Sequence, residues 1–273
     1  MSGARYLVIV DPAATGHPAF ERALLAARDS RGHIHLFGFA SHPPLPANGE
    51  SLSDAQERFR SEALATLGEL AAHAEAQGIG VSVELGTAAD ARQEMVQAAA
   101  RSRADMVFKY SSERTMSHRD PGDWLLMRLA PCPVLMVKNV RDWSSRRVLG
   151  AVNFGSHDLA HIKLNNQIVG EAQRFAHDFG SEAHFVNAYA DRNRAPDRAE
   201  LARICGVAPE RMHTAQGAAA SVISDTAESI GADLILIGTV ARSGLMGTVV
   251  GNTAERILEV GADYGVTAIP GED

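Results

Sequence analysis

The sequence predicts an α/β fold of two tandem, Rossmann-like domains, each a five-stranded parallel sheet covered by helices. Three observations predict it. Short apolar runs alternate with stretches of helical periodicity along the whole chain. The runs Leu7–Val10, Val134–Val137 and Leu234–Ile237 are apolar without alternation, the pattern of strands covered on both faces. The order of elements in the first half returns in the second, so one unit is present twice.

The elements follow in order. Arg5–Pro12 and Arg147–Phe154 open the two halves as first strands, each ending in a small polar residue. Helices Pro18–Ser30 and Asp158–Phe179 lead into second strands, His33–Ala40 and Ala183–Tyr189. Ser41–Gly49 holds three prolines and predicts a surface loop. Ser51–Gln77 predicts a long amphipathic helix, with Phe59, Ala63, Leu67, Leu70 and Ala74 at helical spacing. The matching stretch of the second half, Pro196–Val207, is shorter. Third strands, Val81–Gly86 and Arg211–Gly217, stop at glycine, and helices Arg92–Ser102 and Ala219–Ile230 follow. Fourth strands Ala104–Tyr110 and Ala232–Gly238 and fifth strands Pro133–Val137 and Gly265–Ile269 complete each half. The polar connector Val140–Ser145 separates a first domain, 1–140, from a second, 146–273.

Composition narrows the function. The 273 residues are 45% hydrophobic and 22% charged, which suits a folded globular chain with a large core. The net charge of −7 argues against general nucleic-acid binding, because a negative body repels phosphate backbones. Cys132 and Cys205 make neither a disulfide scaffold nor a paired metal motif. No apolar run reaches the roughly 18 residues of a membrane span, so no integral membrane association is expected. The amino terminus reads as a first strand and not as a secretion signal, so a cytoplasmic location is expected.

In parallel α/β sheets, ligands lie beyond the carboxyl ends of the strands. In the second half, the exit of strand four carries Gly238, Gly244, Gly247 and Gly251, with Arg242 among them. Glycine lets backbone approach a ligand closely, and Asn252 or Thr253 can cap the helix Ala254–Val260, whose free N–H groups favour an anion. A tight strand-to-helix turn needs glycines too, so the loop alone does not decide between cradle and turn. The matching exit in the first half has no glycine before Gly122; it carries Lys109, Arg114, His118 and Arg119 instead. That cluster suits either a solvated loop or an anion site built from side chains. His33 and His35 share a strand face, and His157 and His161 share a helix face; both pairs fit packed or polar positions better than metal sites. No nucleophile elbow, phosphate-binding Gly-Lys loop or His-Glu-x-x-His is present, so neither a catalytic nor a metal site is expected.

The second-half loop resembles that of the universal stress protein family, Gly-x2-Gly-x9-Gly-Ser/Thr. Gly238 matches the first glycine and Gly251 the third; Ala241 replaces the second, and Asn252 stands where Ser or Thr is usual. The approach Ala232–Gly238, the stretch Gly-Asn-Thr-Ala-Glu at 251–255, Asp123-Trp-Leu-Leu and Cys132–Lys138 resemble the tandem, E-type members. The likeness covers nearly the whole chain. It implies that the fifth strands pair antiparallel and make an intrachain pseudo-dimer; a further homodimer is compatible with it. It implies ATP or AMP as ligand, with an aspartate after the first strand holding the nucleoside and the loop holding phosphates. The first half keeps that aspartate as Asp11 but lacks the loop. The second keeps much of the loop but has Asn153 in the aspartate's place. Each departure costs on the order of 1–3 kcal/mol. Weak ATP binding at most is therefore expected in the second half, and none in the first.

The resemblance implies a non-catalytic protein of the stress response that senses a small-molecule ligand. Two alternatives stand beside it. One is a nucleotide-binding switch or slow ATP hydrolase using the second cleft. The other is a carrier of a non-nucleotide small molecule or lipid fragment in the first domain, near Asp11, Lys109, Arg114 and His118.

Overall fold

The computed structural model describes residues 3–39, 46, 49–86, 91–111, 121–138, 144–156, 158–191, 193, 195–239, 257 and 265–270. The chain divides into two compact units, Met1–Tyr110 with Ala130–Cys132, and Ser111–Leu129 with Pro133–Asp273.

The first unit runs β1 (Arg5–Val10), α1 (Pro18–Ser30), β2 (His33–Gly38), α2 (Leu52–Glu75), β3 (Gly80–Leu85), α3 (Ala91–Arg101) and β4 (Met106–Tyr110). Its four strands are parallel, in the order β3-β2-β1-β4. The second unit holds α4 (Pro121–Leu129), β5 (Val134–Val137), β6 (Arg147–Val152), α5 (Leu159–Asp178), β7 (Glu182–Tyr189), α6 (Arg198–Cys205), β8 (Met212–Gln216), α7 (Ala219–Ile230), β9 (Leu234–Thr239) and β10 (Gly265–Pro270). There β10-β9-β6-β7-β8 is a parallel sheet, and β5 joins β10 antiparallel, with Leu135 opposite Thr267. The repeat boundary and the compact units divide the chain at different places, because pairing and packing with β10 draw β5 and α4 into the second unit.

Local chemistry sets the helix ends. Pro18 opens α1, where a missing N–H costs nothing, and Arg31 closes it in a left-handed conformation (φ 52°). Ser51 caps α2 by accepting from Asp54 N. Asp158 and Asp197 cap α5 and α6 in the same way, so Asp158 is the cap and not the first turn of its helix. Of the five apolar positions predicted along α2, Ala63, Leu67 and Ala74 are buried, with Ala55 added; Phe59 and Leu70 are half-buried.

The core is strand-borne. Leu7, Ile34, Leu36, Phe37 and Phe108 are fully enclosed in the first unit, and Leu149, Phe185, Ile235 and Leu236 in the second. Cys132 and Cys205 are buried free thiols, and burial pushes the Cys205 thiol up to about 12. Among the described residues, no helix is long and apolar enough to cross a membrane, and no three His, Cys, Asp or Glu side chains gather to hold a metal ion.

Candidate functional site

The turn after β6 is held by two buried amides. Asn165, on α5, brackets the backbone of Asn153. Its Oδ1 accepts from Asn153 N (2.9 Å) and its Nδ2 donates to Asn153 O (2.9 Å). Asn187, at the end of β7, accepts from Phe154 N through Oδ1 (2.8 Å) and donates to Ala188 O (3.2 Å). Both amides are nearly sealed from solvent, at 4% and 2% exposure, so each is committed to these backbone partners. The turn therefore has a fixed shape before any ligand arrives.

Asn153 itself is exposed at the carboxyl end of β6. Its Oδ1 accepts from Gly155 N (3.2 Å), closing an Asx turn. The backbone donor identifies that atom as the oxygen, so the remaining group is the Nδ2 amide, which has no partner among the described residues. The site thus offers a donor where an aspartate would offer a second acceptor.

Asp11, after β1, makes the same kind of turn. Its Oδ1 accepts from Ala13 N (3.0 Å), and its backbone oxygen accepts from Ala14 N (3.2 Å). Next to this turn, burial lowers the His17 pKa, against the opposing pull of Asp11 and Glu21. Lys109 is buried on β4, whose backbone places it opposite Ile9, two residues before Asp11. Asp11 and Lys109 therefore lie at the same end of adjacent strands. Arg114 and His118, predicted beside them, lie outside the described residues.

Gly238, at the end of β9, has a packing reason for its lack of a side chain. A Cβ there would fall 2.4 Å from Leu164 Cδ1 and Cγ, and Leu164 is a buried residue of α5. The glycine admits the α5 side chain onto the sheet, a packing reason beside the two that the sequence left open, ligand cradle and tight turn. Arg242, Gly244, Gly247, Gly251, Asn252 and Thr253 lie outside the described residues.

Sequence reasoning missed Asn165 and Asn187. Both had a signal: asparagine is a poor former of helix interiors and of strands, and each interrupts an otherwise favourable pattern.

Comparison with known proteins agrees with this fold. The profile of the universal stress protein family matches residues 4–138 and 182–260. Universal stress protein E of Photorhabdus laumondii is 26% identical over 291 aligned residues, covering 93% of this chain and 90% of that protein. A crystal structure described as a universal stress protein from Pseudomonas aeruginosa UCBPP-PA14 is 26% identical, with a TM-score of 0.74 over 98% of this chain and 94% of its own. The crystal structure of a universal stress protein from Archaeoglobus fulgidus has the same fold, with a TM-score of 0.76, 19% identity and coverage of 100% and 98%. With one family profile matched in both halves and likeness over nearly the full length, the chain belongs to the universal stress protein family, as a tandem of two copies.

Proposed function

We propose that this chain is a cytoplasmic stress-response protein whose second copy binds a small anionic ligand of nucleotide type weakly and without turning it over. Residues 1–140 and 146–273 are the two copies. The observation that carries the proposal is the pinned turn at Asn153. Two buried amides fix its backbone, and its outward Nδ2 donor suits a phosphate or carbonyl oxygen. Gly238 lies one residue before the end of β9 in the same unit, and the loop residues Arg242, Gly244, Gly247, Gly251, Asn252 and Thr253 would supply the remaining contacts.

Affinity in this proposal is low. Asn153 makes no charge-assisted bond to a ribose hydroxyl, and one lone pair of its oxygen already serves Gly155. Calorimetry with ATP and AMP tests the proposal. Weak heat of binding, abolished by Gly251→Val, supports it. No heat at millimolar ligand, or ATP converted to ADP during the titration, overturns it.

A further inference from the structure

The amino ends of the first unit's strands gather polar side chains that nucleotide binding does not use. His33 and His35 lie on one face of β2, and Ser82 of β3 pairs with His35 in the strand register. Both imidazoles converge on one hydroxyl. His33 Nε2 is 3.0 Å and His35 Nδ1 2.7 Å from Ser82 Oγ. The second nitrogen of His35 lies 3.0 Å from Glu84 Oε2, and Glu84 is paired in turn with Arg101 of α3. Gly80 makes room for this arrangement: a Cβ there would sit 2.9 Å from His33 Nδ1.

With neutral imidazoles, donors and acceptors along this chain have one consistent assignment. Burial alone would raise the Glu84 carboxyl, but hydrogen bonds from Arg101 and His35 outweigh it and hold the group below the usual carboxylate range. An ionised carboxylate only accepts, so His35 Nε2 carries the hydrogen and Nδ1 is bare. The Ser82 hydroxyl then donates to Nδ1, and its oxygen accepts from His33 Nε2–H. A hydroxyl held by a base, with the base held by a carboxylate, is the arrangement of an activated nucleophile.

A cavity of about 240 Å³ adjoins the hydroxyl, lined by Arg5, Tyr6, His33, His35, Ser82 and Ser102 among others. The Arg5 guanidinium makes no ion pair among the described residues, so a cation is available for a developing oxyanion.

We propose that Ser82 is an acyl-accepting nucleophile, with His35 as its base, Glu84 as the residue that positions His35, and the cavity as the seat of a short acyl group from an activated ester or thioester. Ser82 Oγ attacks the carbonyl carbon and its proton passes to His35 Nδ1. The Oγ–C bond forms, the C–O or C–S bond to the leaving group breaks, and the leaving group takes the proton from His35. Water repeats the sequence, returning the hydroxyl and the free acid. The charged and titratable groups on His35's side of the sheet are Arg5 of β1, His33 of β2 and Glu84 of β3, with Arg101 of α3 paired to Glu84. Burial lowers the His33 pKa, and a charge on His35 would act in the same direction.

The full chain incubated with p-nitrophenyl acetate tests this, with phenolate release followed by absorbance and the acetyl group placed by peptide mass mapping. One acetyl group on Ser82 is the expected result, absent in Ser82→Ala. His35→Gln slows acylation by about a hundredfold or more. Glu84→Gln keeps Ser82 as the acceptor but lowers kcat with KM unchanged, because His35 is no longer held in the tautomer with a bare Nδ1, and Glu84→Asp recovers part of the rate. Thermal melts establish that each variant is folded. No acetylation, acetyl groups confined to lysines, or an unchanged rate in folded His35→Gln overturns the proposal, and none of these outcomes bears on nucleotide binding in the second copy.

Discussion

Val10 and Val152 hold the same place in the two copies, ending β1 and β6, and the residues beside them differ in kind. Val10 pairs with Gly38, over which Leu67 of α2 and Leu85 pack so closely that a Cβ would meet them at 2.6 and 3.0 Å. Val152 pairs with Asn187, whose amide holds the next turn while Asn165 holds it from α5. One copy fills this corner with hydrocarbon. The other spends two buried amides on the shape of the Asn153 turn. A duplicated fold can keep its strands and diverge in what stiffens the first turn, and the stiffened turn is where ligand binding is proposed.

The amino ends of the strands diverge the other way. In the first copy, His35 faces a serine hydroxyl and a carboxylate. In the second, His184 lies 3.2 Å from His213, with Glu182 beside it and Arg211 and Arg147 paired to Glu182 at 2.9 and 3.5 Å. Among the described residues, that group contains no hydroxyl. The two amino-end clusters thus differ in whether a hydroxyl stands beside the imidazoles.

Four perturbations sharpen the contrast. Asn165→Ala has the largest expected effect, because it leaves two backbone groups of Asn153 without partners; about 2–3 kcal/mol should be lost in urea unfolding. A loss within error would mean that the turn is not held from α5. Gly238→Ala comes next, at about 1–3 kcal/mol, since its methyl group would overlap Leu164. Leu164→Ala in the same chain should recover part of that loss, and failure to do so would restore a purely ligand-facing reason for the glycine.

Acidification comes third. The ordinary histidine value is 6.5, and both His184 and His213 are lowered from it. For His184 burial leads, partly offset by Glu182; for His213 burial is followed by the charges of His184 and Arg198. The unfolded chain takes protons first, so stability falls as pH drops below 6.5 and goes on falling until the lowered folded values are reached. His213→Gln should flatten that slope in melts recorded from pH 7 to about 5; an unaltered slope would assign it elsewhere. The smallest effect is a gain. Gly68→Ala and Gly170→Ala lie inside α2 and α5 with nothing within 4 Å of the added methyl, and each should stabilise by about 0.5–1 kcal/mol.

These expectations separate what pattern reveals from what only folding reveals. The bounds of α1 and α7 follow from local signals, Pro18 at the start of one and Gly231 after the other, and the structure has the same bounds. The parallel strands and the repeated order were legible for the same reason, since apolar runs and turn residues act over a few neighbours. The amide clamp was not. Asn165 reaches back 12 residues and Asn187 reaches 33, across strand pairings that pattern does not encode. The meeting of Ser82 with two histidines also depends on register, over 47 and 49 residues. Gly238 was legible as a glycine that something approaches; that the approaching group is Leu164 required the helix to be in place.

The most direct test of where ligand binding resides is an amide NMR titration of the full chain with ATP. The account predicts shifts at Asn153, Phe154 and Gly155, with Ala13 and Ala14 beside Asp11 unmoved. Saturating shifts at Ala13 and Ala14, with the Asn153 turn silent, would contradict it.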